Sequence, residues 1–158
     1  FMGGGDMIET VTTQGSTYQT NEHKFEAGTP RIAEAIGWSA ALDWMETFDL
    51  DAEHTRLVSI ASWVAEELRS MGMSVYGRHG EDDAAVVSFL HPTINSEDMA
   101  HLLDARGYAV RTGHHCAQPL LHRLGISGTV RASFYVYNTR QEAEGLVGEL
   151  REIVEKFA

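Results

Sequence analysis

Cysteine is almost absent from this chain: Cys116 is the only one in 158 residues, so no internal disulfide can staple the fold. Basic charge is also scarce, with 12 Lys and Arg against 23 Asp and Glu and a formal net charge of −11. That balance opposes the counterion-release binding of nucleic-acid proteins and offers nothing to an anionic membrane surface. No apolar run approaches the roughly 18 residues needed to span a bilayer. The start, "FMGGGDMIET", lacks both the basic stretch and the apolar core of a secretory signal. Internal repeats and low-complexity blocks are missing too. These absences predict a cytoplasmic protein with neither nucleic acid nor membrane as partner. Phe1 is not an initiator residue, which raises the expectation that the chain starts inside a longer sequence.

What is there suits one folded unit: 43% of residues are hydrophobic and 22% charged, far from the signature of disorder. Residues 1–29 are rich in Gly, Thr and Gln, with strand character over Met7–Thr13 and Ser16–Thr20 around a turn at Gln14-Gly15. A segment of this kind has no core of its own. Thr29 and Pro30 predict a helix start, a capping hydroxyl followed by proline, with the helix running to about Phe48. Ile32, Ile36 and Ala40, with Trp38, Leu42 and Met45 on a second stripe, make it apolar over much of its girth and predict burial. A second helix, about Asp51–Met71, places Leu57, Ile60, Val64, Leu68 and Met71 on one face and stops at Gly72. Then "MSVYG" and "AAVVSFL" read as strands, "NSEDMAHLLDARG" as a helix capped by Asn95, "YAVRT" as a strand and "TVRASFYVY" as a longer one. Thr139-x-x-Glu142 is a capping box opening an amphipathic C-terminal helix. The order predicts an α/β sandwich, a small mixed or antiparallel sheet covered by helices.

The chemistry-bearing stretch is "VRTGHHCAQP", residues 110–119. A cysteine is nucleophilic as thiolate, and Arg111, His114 and His115 are neighbours that could favour that form. A lone cysteine is otherwise a small buried hydrophobe, but Gly113 and Pro119 place this one in a loop after a strand. Metal binding is a poor fit, since contiguous His114, His115 and Cys116 diverge; His122 could add a ligand, but no second cysteine supports zinc. His23, His54, His79, His91 and His101 are scattered and read as solvated. Arg131 sits in an apolar strand, either as an edge residue facing water or as a bidentate clamp on a carboxylate. Gly28 and Thr29 in "FEAGTP" are either a plain helix cap or a phosphate site at a helix N-terminus.

Together "GGGDMI", "FEAGTP", "VRTGHHCAQP" and "RASFYVYNT", in this order and followed by an amphipathic helix, resemble the SUF-type cysteine desulfurase and selenocysteine lyase family. These are class V aminotransferases of pyridoxal phosphate (PLP) fold type I. The resemblance implies that Cys116 attacks the sulfur of a PLP-held L-cysteine, leaving alanine and an enzyme persulfide that feeds iron–sulfur cluster assembly through a sulfur-acceptor protein. It implies that Arg131 binds the substrate carboxylate, that Gly28 and Thr29 reach the PLP phosphate of the neighbouring subunit of a homodimer, and that Arg111, His114 and His115 shape the active-site loop. Family members are much longer, and their Schiff-base lysine lies upstream of the part seen here; this chain has only Lys24 and Lys156. Residues 1–29 are therefore expected to be an extended, partly hairpin segment facing a large domain or dimer partner. Residues 30–158 are expected to be the small C-terminal α/β domain with its leading helices. No PLP is expected on this chain alone, whose own activity stays open while the parent is an enzyme. The rival readings are a free-standing, non-catalytic sulfur carrier or interaction module, and a selenocysteine lyase.

Overall fold

A computed structural model of the chain describes residues 3–77, 80 and 83–158, and contacts cluster into two units, Phe1–Phe48 and Asp49–Ala158. Phe1 and His79 lie outside the described residues.

In the first unit, β1 (Ile8–Val11) and β2 (Ser16–Tyr18) form the expected antiparallel hairpin, with Ile8 opposite Tyr18 and Val11 opposite Ser16. Its turn closes where the Thr12 N–H donates to the Gly15 carbonyl at 2.8 Å, while the Thr12 hydroxyl accepts from the Gln14 and Gly15 amides. Gly4 is required by a close approach, since a Cβ there would collide with the Ala27 carbonyl. The motif segments "GGG" and "EAG" thus touch through backbone. Two expectations fail at α1, which spans Ile32–Met45. It starts beyond Pro30, with Arg31 as a cap that makes no side-chain bond, because Arg31 (ψ 72°) is not helical and leaves Thr29 and Pro30 outside. No residue of α1 is buried either; Ile36 is 67% and Trp38 69% exposed. Apolar residues all round a helix show that it can be buried, not that its own chain supplies the cover. Among the described residues of this unit only Met7 is buried.

The second unit carries its own core. Asp49 Oδ1 accepts from the Ala52 N–H and opens α2 (Leu50–Ser70), whose Leu57, Ile60, Val64 and Leu68 are buried at spacings of three and four. Gly72 (φ +80°) then turns the chain into β3 (Ser74–Tyr76), which pairs with β4 (Val86–Leu90). After α3 (Ser96–Asp104, capped by Asn95) come β5 (Arg111–Gly113), the short α4 (Gln118–Leu124), β6 (Thr129–Ser133) and α5 (Arg140–Phe157) behind its capping box. The sheet order is β3-β4-β6-β5, and every pairing is antiparallel. One face presents Val87, Phe89, Val130 and Ala132 to a core shared with Val64 and Leu68 of α2, Leu103 of α3, and Leu150 and Ile153 of α5. Three outcomes differ from the sequence patterns. The "YAVRT" and "TVRASFYVY" strands are shorter than expected, and α4 had no counterpart. β6 ends where Tyr135–Asn138 form a turn, closed by an Asn138 N–H to Tyr135 carbonyl bond of 2.8 Å, so alternation of Phe and Tyr outlasts the ladder. Arg56 ties that turn to α2 by donating to the Asn138 and Val136 carbonyls. No helix of the described residues is long and apolar enough to cross a membrane.

The contrast between the units is testable by urea denaturation. Leu150→Ala, at a fully buried site, is expected to destabilise the second unit by about 2–5 kcal/mol. Trp38→Glu, on the uncovered helix, is expected to leave its midpoint unchanged. Equal losses in both variants would mean that α1 is packed like a core helix.

Candidate active site

β5 and β6 set the geometry. Their register pairs Arg111 with Arg131, Thr112 with Val130 and Gly113 with Thr129, and β4 places Ser88 opposite Arg131 on the other side. Directly paired residues share a face, so Ser88, Arg131 and Arg111 form a row on the face opposite the core. β6 is an interior strand, which removes the edge-strand reading of Arg131. The side chain is half-buried, and its buried Nε has no hydrogen-bond partner among the described residues. Two guanidinium groups facing each other across a ladder repel unless an anion lies between them. An orphaned Nε–H beside a second guanidinium suits a planar carboxylate.

The chain leaves β5 through Gly113 (φ +99°) and reverses in a turn closed by the Ala117 N–H donating to the His114 carbonyl at 2.8 Å. Its two central residues are His115 (φ +52°) and Cys116 (φ +60°), both left-handed although neither is glycine. Positive φ at both centres is the signature of a mirror-image type I′ turn, which asks for Asn, Asp or Gly. Each side chain of the turn goes its own way. The Cys116 thiol is exposed, with the Arg111 guanidinium 4.0 Å from its sulfur. His114 is exposed and folds back so that its Nδ1 accepts the Cys116 N–H at 3.1 Å. His115 points inward, its Nε2 lying 3.1 Å from the carbonyl oxygen and 2.9 Å from the hydroxyl of the buried Thr129. A carbonyl only accepts, so the carbonyl bond calls for the proton on Nε2, and the buried Nδ1 has no hydrogen-bond partner among the described residues. Burial pushes the His115 pKa below its ordinary value and outweighs the Thr129 carbonyl, which pulls the other way; nearby Arg131, Arg111 and His114 add to the lowering. Next to Thr129, Gly128 crosses Gly113 so closely that a Cβ would lie 3.1 Å from the Gly113 Cα.

The structure therefore brings Arg111, His114, His115, Cys116 and Arg131 together on one corner of the second unit. Gly28 and Thr29 belong to the first unit, where both are exposed. A Cβ on Gly28 would meet nothing within 4 Å among the described residues. His122 is exposed on α4. Among the described residues no group of three or more His, Cys, Asp or Glu side chains could hold a metal ion. Of the scattered histidines, His23 pairs with Glu26 at 2.6 Å, which raises its pKa. His91 departs from the solvated reading: it is half-buried, its Nδ1 accepts from the Thr93 and Ile94 amides, and burial lowers its pKa. Thr129 and Gly128 escaped the sequence reading because their importance lies in a strand pairing, although a Gly-Thr step opening an apolar strand was a visible hint.

The family model for aminotransferase class-V matches residues 1–146. A probable cysteine desulfurase of Staphylococcus epidermidis is 42% identical over 156 residues, covering 98% of this chain and 38% of that protein. A probable cysteine desulfurase of Xylella fastidiosa is 44% identical over 154 residues, covering 97% of this chain and 37% of that protein. The crystal structure of the cysteine desulfurase CsdA from Escherichia coli superposes with a TM-score of 0.86 at 36% identity, over 100% of this chain and 39% of that one. The apo structure of a cysteine desulfurase from Thermococcus onnurineus gives 0.84 at 38% identity, over 98% and 39%. The chain thus spans less than two-fifths of the length of these relatives.

The inward His115 makes a pH prediction. Its folded pKa lies below the ordinary 6.5, so the folded state binds fewer protons than the unfolded one as pH drops. Its contribution to stability is fully present above about pH 6.5 and is lost as pH falls through the lower folded value. An NMR titration of the imidazole should give a midpoint under 6.5. A midpoint at or above that value would mean that the ring is solvated.

Proposed function

The chain belongs to the aminotransferase class-V family, and from that membership we propose that it is the C-terminal portion of a PLP-dependent cysteine desulfurase. The complete protein takes sulfur from L-cysteine, leaves L-alanine and passes a persulfide to an acceptor protein for iron–sulfur cluster assembly, as a cytoplasmic homodimer. The likeness to cysteine desulfurases over almost the whole chain supports this reading. The observation that carries it is the exposed Cys116 thiol, held beside Arg111 at the end of the strand that pairs Arg111 with Arg131.

In this reading Arg131 binds the carboxylate of L-cysteine through the fork that its unpartnered Nε leaves available. Arg111 adds positive charge beside the sulfur that must react as thiolate. The Cys116 sulfur forms a new S–S bond to the substrate sulfur while the substrate Cβ–S bond breaks; the electron pair stays on Cβ, which takes a proton to give alanine. PLP, when bound, supplies the electron sink that makes this carbon a leaving group. The chain by itself does not fit PLP. Lys24 stands over the Phe25 ring at 5.0 Å, and Lys156 is exposed near the end of α5, 5.3 Å from the Phe157 ring. Neither lysine is buried, whereas imine chemistry calls for a desolvated amine. Gly28 and Thr29 offer open backbone and a hydroxyl to the cofactor phosphate of the partner subunit.

In the complete enzyme, Cys116→Ser is expected to abolish alanine formation and leave PLP absorbance intact; loss of the cofactor would contradict the role given to the thiol. Arg131→Ala should raise KM for L-cysteine about 30- to 150-fold, the equivalent of about 2–3 kcal/mol for a lost charge-assisted clamp. Arg131→Lys should recover only part, lacking the fork. An unchanged KM would reduce Arg131 to a structural charge.

A further inference from the structure

A turn with two left-handed, non-glycine centres needs something outside itself to hold it. His114 holds the Cys116 amide, but His114 is exposed and belongs to the same turn, so it moves with the turn. Among the described residues, the one anchor of the turn that reaches a strand other than β5 is His115, through Nε2 to the carbonyl and hydroxyl of Thr129. Thr129 is 2% exposed and lies at the start of an interior strand, so it is fixed by the sheet. The same residue of β6 is opposite Gly113, whose close crossing with Gly128 sets where the chain departs. The strap therefore joins the strained turn to the strand that also carries Arg131, two residues further along.

We propose that His115 is a positioning residue: its bond to Thr129 keeps the turn left-handed and so fixes the Cys116 sulfur relative to Arg111 and Arg131. The proposal rests on the desulfurase reading for its effect on turnover, but not for its effect on the turn. Without the strap, His115 and Cys116 are free to return to negative φ, two backbone dihedrals swing, and the sulfur leaves its place beside Arg111. Proton transfer is not part of this role, because Nε2 is engaged with Thr129 and Nδ1 is buried. The groups facing the ring are Arg111 and His114 from β5 and its turn and Arg131 from β6.

The test has one arm on this chain and one on the complete enzyme. In the chain, NMR should show the strong intraresidue amide-to-Hα contacts of positive φ at His115 and Cys116. His115→Ala should keep the dispersed amides of the second unit's core and lose that signature at residue 116. His115→Gln, whose amide N–H can donate to the Thr129 carbonyl, should retain part of it. In the complete enzyme, His115→Ala should lower kcat by about 10- to 100-fold, the scale of a misplaced reacting group, with KM for L-cysteine nearly unchanged and partial rescue by His115→Gln. Persistence of positive φ at Cys116 in His115→Ala would overturn the proposal, as would loss of the signature with kcat intact. A complete wild-type enzyme that makes no alanine would instead sink the desulfurase reading, while the NMR comparison would still decide whether His115 holds the turn.

Discussion

The pairing of β5 with β6 is the constraint on which the site depends. A three-residue strand ending at Gly113 fixes, in one register, which arginine faces which and where the cysteine turn is suspended. The pairing is secured on the core side by Val130 and Ala132, which belong to the buried core, and β6 packs against α3. Polar chemistry on one face is thus positioned by apolar packing on the other. A slip of one residue would send Arg131 into the core and Val130 outward. Such a slip is strongly opposed, since burying an unpaired guanidinium costs far more than the few ladder bonds gained.

The cysteine turn shows how strain is balanced locally. Left-handed backbone costs a non-glycine residue about 1–2 kcal/mol, and two such residues sit side by side. Against this stand the turn's own hydrogen bond, the His114 bond to the Cys116 amide and the His115 bond to Thr129. Each is worth about 1 kcal/mol net. The two sides nearly cancel, which explains why a turn that composition disfavours can exist, and why it has no stability to spare. Asn or Gly at these positions would relieve the strain, but neither would supply an imidazole long enough to reach β6, nor a thiol.

What was legible in the sequence was local or periodic. The helices α2, α3 and α5 could be read because a cap and a stripe of buried residues lie within one stretch: Asn95 before α3, and Thr139 with Glu142 before α5. Gly72 ended α2 because only glycine enters a left-handed conformation without cost. Cys116 and Arg131 were singled out as unusual residues in their segments, but their closeness was not readable, since strand register depends on side chains from four elements. The left-handed φ of His115 and Cys116 was hidden for the opposite reason: nothing in the residue types asks for it. The apolar girth of α1 was read correctly as composition and wrongly as burial, because a helix without a polar stripe carries no information on what faces it.

The acidic balance of the chain and the cationic character of its site look contradictory, and distance resolves them. A net charge of −11 is spread over exposed carboxylates, while screening at physiological ionic strength cuts off their influence beyond about 8 Å. Many of those carboxylates are also answered locally: Glu53 by Arg56, Glu149 by Arg106, Glu144 by Arg140 and Glu67 by Arg151. Arg111 and Arg131 form no ion pair with a carboxylate among the described residues, although acidic side chains outnumber basic ones almost two to one. In a chain so rich in acids, two facing guanidiniums escape pairing because the sheet face they share presents Ser88 rather than Asp or Glu as their neighbour on β4. The local field at the Cys116 sulfur is therefore set by a charge 4.0 Å away and not by the global sum. A small anion approaching this corner meets two cations. The two guanidiniums that face each other across β5 and β6 are thus cations without a carboxylate partner among the described residues, in a chain whose net charge is negative.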